Sequence, residues 1–105
     1  MNTTENNKLI GEFIGMFLPL NLVKIEELQF HADWNRLMKV VEKINLLDGF
    51  KYSVTIQTMD CYISDNKGEK IVSIDCKYNV DELKKSVYYA CVEFIKWHNE
   101  QTKTI

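Results

Sequence analysis

Arginine is almost missing from this chain: Arg36 is the only one among thirteen basic residues. Planar, two-point grips on phosphate favour arginine. The lysines are scattered among fifteen acidic residues, and the net charge is −2. A surface that neutralises nucleic-acid phosphates needs clustered positive charge, so no nucleic-acid partner is expected. The negative balance is equally too weak for a dense acidic face that mimics nucleic acid. Glycine is also scarce, with four in all. A phosphate-cradling loop needs several glycines leading into a helix with Lys-Ser/Thr, and Asn66-Lys67-Gly68 is turn chemistry instead.

The three cysteines, Cys61, Cys76 and Cys91, are evenly spread and odd in number. None has the close spacing of a metal knuckle or redox pair, so reduced thiols inside a cell are expected. No apolar run approaches the roughly 20 residues of a membrane span. Met1 to Lys8 is polar and lacks the basic-then-apolar order of a signal peptide. The expected location is the cytoplasm of the host cell, with no membrane partner.

What is present is an ordinary globular balance, 46% apolar and 27% charged over 105 residues. Residues 1–105 are expected to form a single α+β domain. Leu9, Ile10, Phe13, Ile14 and Phe17 follow helical spacing, which predicts a helix from about Asn6 to Met16. Gly11 and Gly15 weaken it by about 1 kcal/mol each relative to alanine, and Pro19 ends it. The stretch 18–30 fits either an irregular or an extended path. Asp33 is a good N-cap for a second helix whose apolar face is Trp34, Leu37, Met38, Val41 and Ile44. Asp48-Gly49 stops it by about Leu47.

Phe50 to Tyr78 alternates in three runs and predicts an antiparallel meander. A two-residue turn at Thr58-Met59 places Ile56 opposite Cys61 and Val54 opposite Ile63. A four-residue loop, Asn66 to Glu69, places Ile63 opposite Val72 and Cys61 opposite Ile74. Both loop lengths are common for hairpins. One face then carries Tyr52, Val54, Ile56, Cys61, Ile63, Val72, Ile74 and Cys76. The other is polar, with Ile71 its only aliphatic. The element order is α-α-β-β-β-α.

The last helix, Asn79 to about Gln101, carries the strongest signal. Asn79 and Glu82 form a capping-box pattern. Leu83, Val87, Ala90, Cys91 and Phe94 make one apolar stripe, and Tyr88, Val92 and Ile95 make a second beside it. Such a helix must be covered on two sides, by its own domain and by something else. Tyr88, Val92 and Ile95 are therefore the expected protein interface, and a two-fold dimer is the expected assembly.

Candidate chemistry is thin. His31 and Asp33 have the residue types of a general base with its orienting carboxylate, but no nucleophile or third group sits nearby in sequence, so a loop histidine beside a helix cap is the favoured reading. His98 reads as a polar tip on an amphipathic helix. The cysteines fall on core faces without a basic neighbour to activate them. No catalytic residue, metal or cofactor is expected. The polar sheet face offers an alternative ligand site at Thr55, Tyr62 and Ser73, with Trp97 as a further stacking surface. Its ligand would be a sequestered nucleotide signal.

Three stretches are familiar in combination: Asn7 to Phe13, then Trp34 with Leu37 to Ile44, then Val92 to Glu100. The combination resembles small phage and prophage proteins, especially those of Bacteroidetes, and is more loosely similar to phage ABA-sandwich domains. Members often have proline where Lys39 stands and tyrosine where His98 stands. The ABA name implies helices on both sheet faces. The resemblance implies a non-enzymatic viral accessory protein that binds a host or viral protein, such as a host-defence component.

Overall fold

The computed structural model describes residues 3–14, 30–57, 60–75 and 80–103, with side chains undescribed at 80–82 and 102–103. Phe17, Pro19, most of the 18–30 stretch, the Thr58-Met59 turn, Cys76 and the Asn79 cap lie outside these residues, as does the Glu82 side chain. The elements are α1 (Thr3–Phe13), α2 (Trp34–Leu46), β1 (Tyr52–Ile56), β2 (Asp60–Asp65), β3 (Lys70–Asp75) and α3 (Val80–Lys103). The fold is α+β, with the three strands side by side in chain order and both pairs antiparallel.

The Asp33 carboxylate starts α2 by accepting from the backbone N–H groups of Asn35 at 2.9 Å and Arg36 at 3.3 Å. That satisfies two donors which the first helical turn leaves without partners. Leu37, Val40, Val41 and Ile44 form its buried face, while Trp34 and Met38 are only half-buried. Val40, absent from the expected face, joins it, and Trp34 and Met38 pack against the edge of the core. At the far end of α2, the Asn45 side-chain oxygen accepts from the Val54 N–H of β1 at 2.9 Å.

Alternation fixes the strand register. Ile56 lies opposite Cys61, Val54 opposite Ile63, Ile63 opposite Val72 and Cys61 opposite Ile74. One departure occurs: Ser64 pairs with Lys70, so β3 bulges at Ile71. A bulge opposes two residues to one and breaks the period of two. Ile71 accordingly packs against the core, and the apparent intruder on the polar face is absent.

A single cluster of buried side chains joins the sheet to the helices. Helix α3 lies on β2 and β3, α2 lies on β1 and also touches α3, and α1 packs on α3. Among the described residues no helix covers the Thr55–Tyr62–Ser73 side of the sheet. Helix α1 begins earlier than the expected Asn6, at Thr3, and buries Ile10 together with Asn6 and Asn7.

This arrangement corrects the expected interface. Tyr88 is 2% exposed, and Val92 and Ile95 are 0% exposed, within the single chain. Their stripe is covered by elements of the chain itself, α1 among them, and offers no free area to a partner. The same burial removes the reason for expecting a dimer through this stripe.

Candidate functional site

The remaining expected site residues separate into groups that the fold keeps apart. Thr55, Tyr62 and Ser73 form one cross-strand row, Thr55 paired with Tyr62 and Tyr62 with Ser73. They occupy the helix-free side of the sheet. Trp97 lies on the other side, where its ring meets Tyr52 at 6.0 Å between centroids and Phe94 at 5.8 Å. The sheet therefore stands between Tyr62 and Trp97, and the two rings do not build one site.

His31 and Asp33 do not form a catalytic pair. Asp33 caps α2 and meets the Arg36 guanidinium at 3.6 Å. The His31 Nδ1 instead lies 3.1 Å from the Asn7 side-chain nitrogen, and its ring meets Tyr88 edge-on at 6.0 Å. The Tyr88 hydroxyl donates to the Asn7 oxygen at 2.9 Å. Three polar groups from α1, the turn before α2 and α3 thus satisfy one another in the interior, as buried polar groups must. Burial pushes the Tyr88 phenol up to about 12. This network ties down α1 and is structural.

Cys61 and Cys91 are buried thiols, and burial pushes the Cys91 thiol well above its ordinary value. That direction opposes thiolate formation, which nucleophilic chemistry needs. Among the described residues, no group of three or more His, Cys, Asp or Glu converges as a metal site. No helix among them is long and apolar enough to cross a membrane.

Two surface features missed by sequence reasoning stand out. The first is the turn between α2 and β1. Asp48, Gly49 and Phe50 run consecutively at φ 52°, 71° and 67°. A left-handed backbone suits Gly49 but costs about 1–2 kcal/mol at a residue with a side chain. Phe50 is 72% exposed and Leu46, near the end of α2, is 51% exposed. The turn is held by the Lys51 N–H donating to the Leu47 carbonyl at 3.2 Å and by His98 of α3, whose Nε2 lies 3.5 Å from Asp48. His98 itself stacks on Phe94 at 5.9 Å. The Asp-Gly dipeptide announces a turn, but nothing in it announces that the left-handed path continues into a phenylalanine.

The second feature is a cleft of about 540 Å³ between the C-terminal half of α3 and one end of the sheet. It is lined by Tyr52, Ile71 and Trp97 together with Lys51, Asp65, Glu69, Lys70 and Gln101. Asp65 Oδ1 accepts from the backbone N–H groups of Lys67 at 2.9 Å and Glu69 at 3.0 Å. Those bonds, that of Glu69 foremost, hold its carboxyl below the ordinary value. Trp97 is the one residue here that the sequence offered as a ligand surface.

No family model, curated protein or solved structure matches the chain. The surface itself therefore carries the functional argument.

Proposed function

We propose that this chain is a non-enzymatic accessory protein of phage or prophage origin that works by docking on a host or viral protein. The observation that supports the reading is Phe50. A large aromatic ring is held in solvent on a left-handed backbone, where folding gains neither burial nor relaxed geometry from it. Strain of this kind concentrates at functional positions, and exposed aromatics are common anchors of protein interfaces. Leu46, the last residue of α2, is a second exposed apolar side chain four positions earlier in the chain. The phage or prophage origin rests on the resemblance of the three sequence stretches alone.

The test places a photoreactive benzoylphenylalanine at position 50 and irradiates bacterial cells that make the protein. The expected result is one discrete covalent adduct with a single protein, and loss of that protein from affinity eluates of the Phe50→Ala and Leu46→Ala variants. A diffuse ladder of adducts, or a bound protein retained undiminished by both variants, overturns the reading. A Phe50-dependent dimer of the purified chain would instead place a second copy on this corner.

A further inference from the structure

We propose that the cleft beside Trp97 binds a guanidinium group, the charged end of an arginine. Its volume of about 540 Å³ falls within the roughly 300–1,000 Å³ usual for small-molecule sites. Its lining does not include Phe50 or Leu46, so this reading and the docking reading stand or fall separately.

Charge sets the sign of the ligand. Asp65 and Glu69 bring two carboxylates to the cleft, and Lys51 brings one ammonium. Lys70 also lines it, but its ammonium stands 4.3 Å from the centre of the Tyr62 ring, on the helix-free side of the sheet and across from Trp97. Lys67, whose charge reaches Asp65, does not line the cleft. The balance favours one added positive charge. A cation already rests against this wall: the Lys51 ammonium stands 5.7 Å from the centre of the Tyr52 ring. Lys51 is exposed, and such contacts are weak at exposed sites, so this flexible side chain can give up its place to a ligand.

Shape sets the kind of cation. Trp97 is half-buried and lines the cleft together with Tyr52. A flat guanidinium stacks on an aromatic ring, whereas an ammonium meets it as a point charge. Guanidinium is also the more weakly hydrated of the two, so it leaves water for an aromatic wall at lower cost. Its N–H donors fork onto carboxylates. The backbone N–H groups of Lys67 and Glu69 both donate to Asp65 Oδ1. Those bonds fix the carboxylate, and Oδ2 is the oxygen assigned to the ligand. Glu69 supplies the second carboxylate, and the Gln101 amide oxygen a neutral acceptor.

Titration calorimetry of the full chain decides the matter, with N-acetylarginine amide and free arginine as probes and N-acetyllysine amide as control. At least one arginine probe should saturate below about 10 mM, with the lysine amide weaker by about fivefold or more. Tighter binding of the blocked arginine supports a guanidinium carried on a peptide, and tighter binding of free arginine supports the amino acid itself. The indole N–H resonance of Trp97, identified by its loss in Trp97→Phe, should shift along the titration while that of Trp34 stays in place. Asp65→Asn with Glu69→Gln keeps an acceptor for the turn and should keep the circular dichroism spectrum of the parent, yet lose about tenfold in affinity. Lys51→Met removes the competing charge and should bind about threefold more tightly. Failure of both arginine probes to saturate overturns the proposal. So does a lysine amide that binds equally well, a carboxamide double variant that binds as the parent does, or weaker binding by Lys51→Met.

Discussion

The Tyr88 hydroxyl donates to the Asn7 side-chain oxygen at 2.9 Å, a bond that spans 81 positions of the chain and joins α3 to α1. Because both residues are buried, deleting the hydroxyl removes a hydrogen bond from the interior. Tyr88→Phe should destabilise the chain by about 1–3 kcal/mol, read as a lower urea midpoint at unchanged slope. Asn7→Ala should cost a similar amount, and the double variant less than the sum, since the two residues share one bond.

The same phenol sets an alkaline limit. Its ordinary value of 10.0 is raised to about 12 by burial, so the folded state holds the proton more tightly than the unfolded one. Stability from this group is complete below about pH 10 and is lost as pH rises toward 12. Tyr88→Phe should flatten that alkaline decline. In the parent, the Tyr88 contribution to phenolate absorbance, isolated as the difference from Tyr88→Phe, should rise only well above pH 10.

Phe50 should be replaceable with a gain in stability. Phe50→Gly relieves a left-handed φ of 67° at a side chain that is largely in solvent. It should stabilise the isolated chain by about 1 kcal/mol, while Phe50→Ala keeps most of the strain. A higher thermal midpoint for the glycine variant checks this. A lower one would show that the ring supports the fold.

Cys91 should resist thiol reagents. It is fully buried and its thiol is pushed up by burial, so modification requires opening of the fold. Mass spectrometry after brief treatment with a maleimide should find Cys91 unmodified in native buffer and modified in denaturant.

The parts of the fold that were legible in the sequence are those governed by local repetition. Alternation along residues 52–75, with short hairpin connections, fixed which strand residues face each other. Asp33 announced the start of α2. Ile71 was misread because a bulge is a local exception to alternation that only pairing reveals. The surplus apolar surface of α3 was legible as well, but its cover was not. Helix α1 carries glycine and two buried asparagines, Asn6 and Asn7, and the latter meets Tyr88 and His31. Asparagine at helical spacing beside Ile10 reads as solvent-facing until the partner hydroxyl and imidazole are seen. The candidate sites were less legible still. Trp97 could be named, but its neighbours Lys51, Glu69 and Gln101 come from three distant stretches joined by tertiary packing. The exposure of Phe50 depends on backbone angles that composition does not encode.

The hydrogen bond from Val54 to Asn45 has a consequence for solubility during folding and storage. An outermost strand normally presents unpaired amides on which another chain can build. On β1 the central amide is already engaged by the end of α2, so an incoming strand finds that position taken. On β3 the bulge at Ile71 interrupts the regular ladder, and a straight strand cannot follow it without a matching irregularity. Among the described residues, each flank of the three-stranded ribbon thus carries an obstacle to pairing with a strand of another molecule.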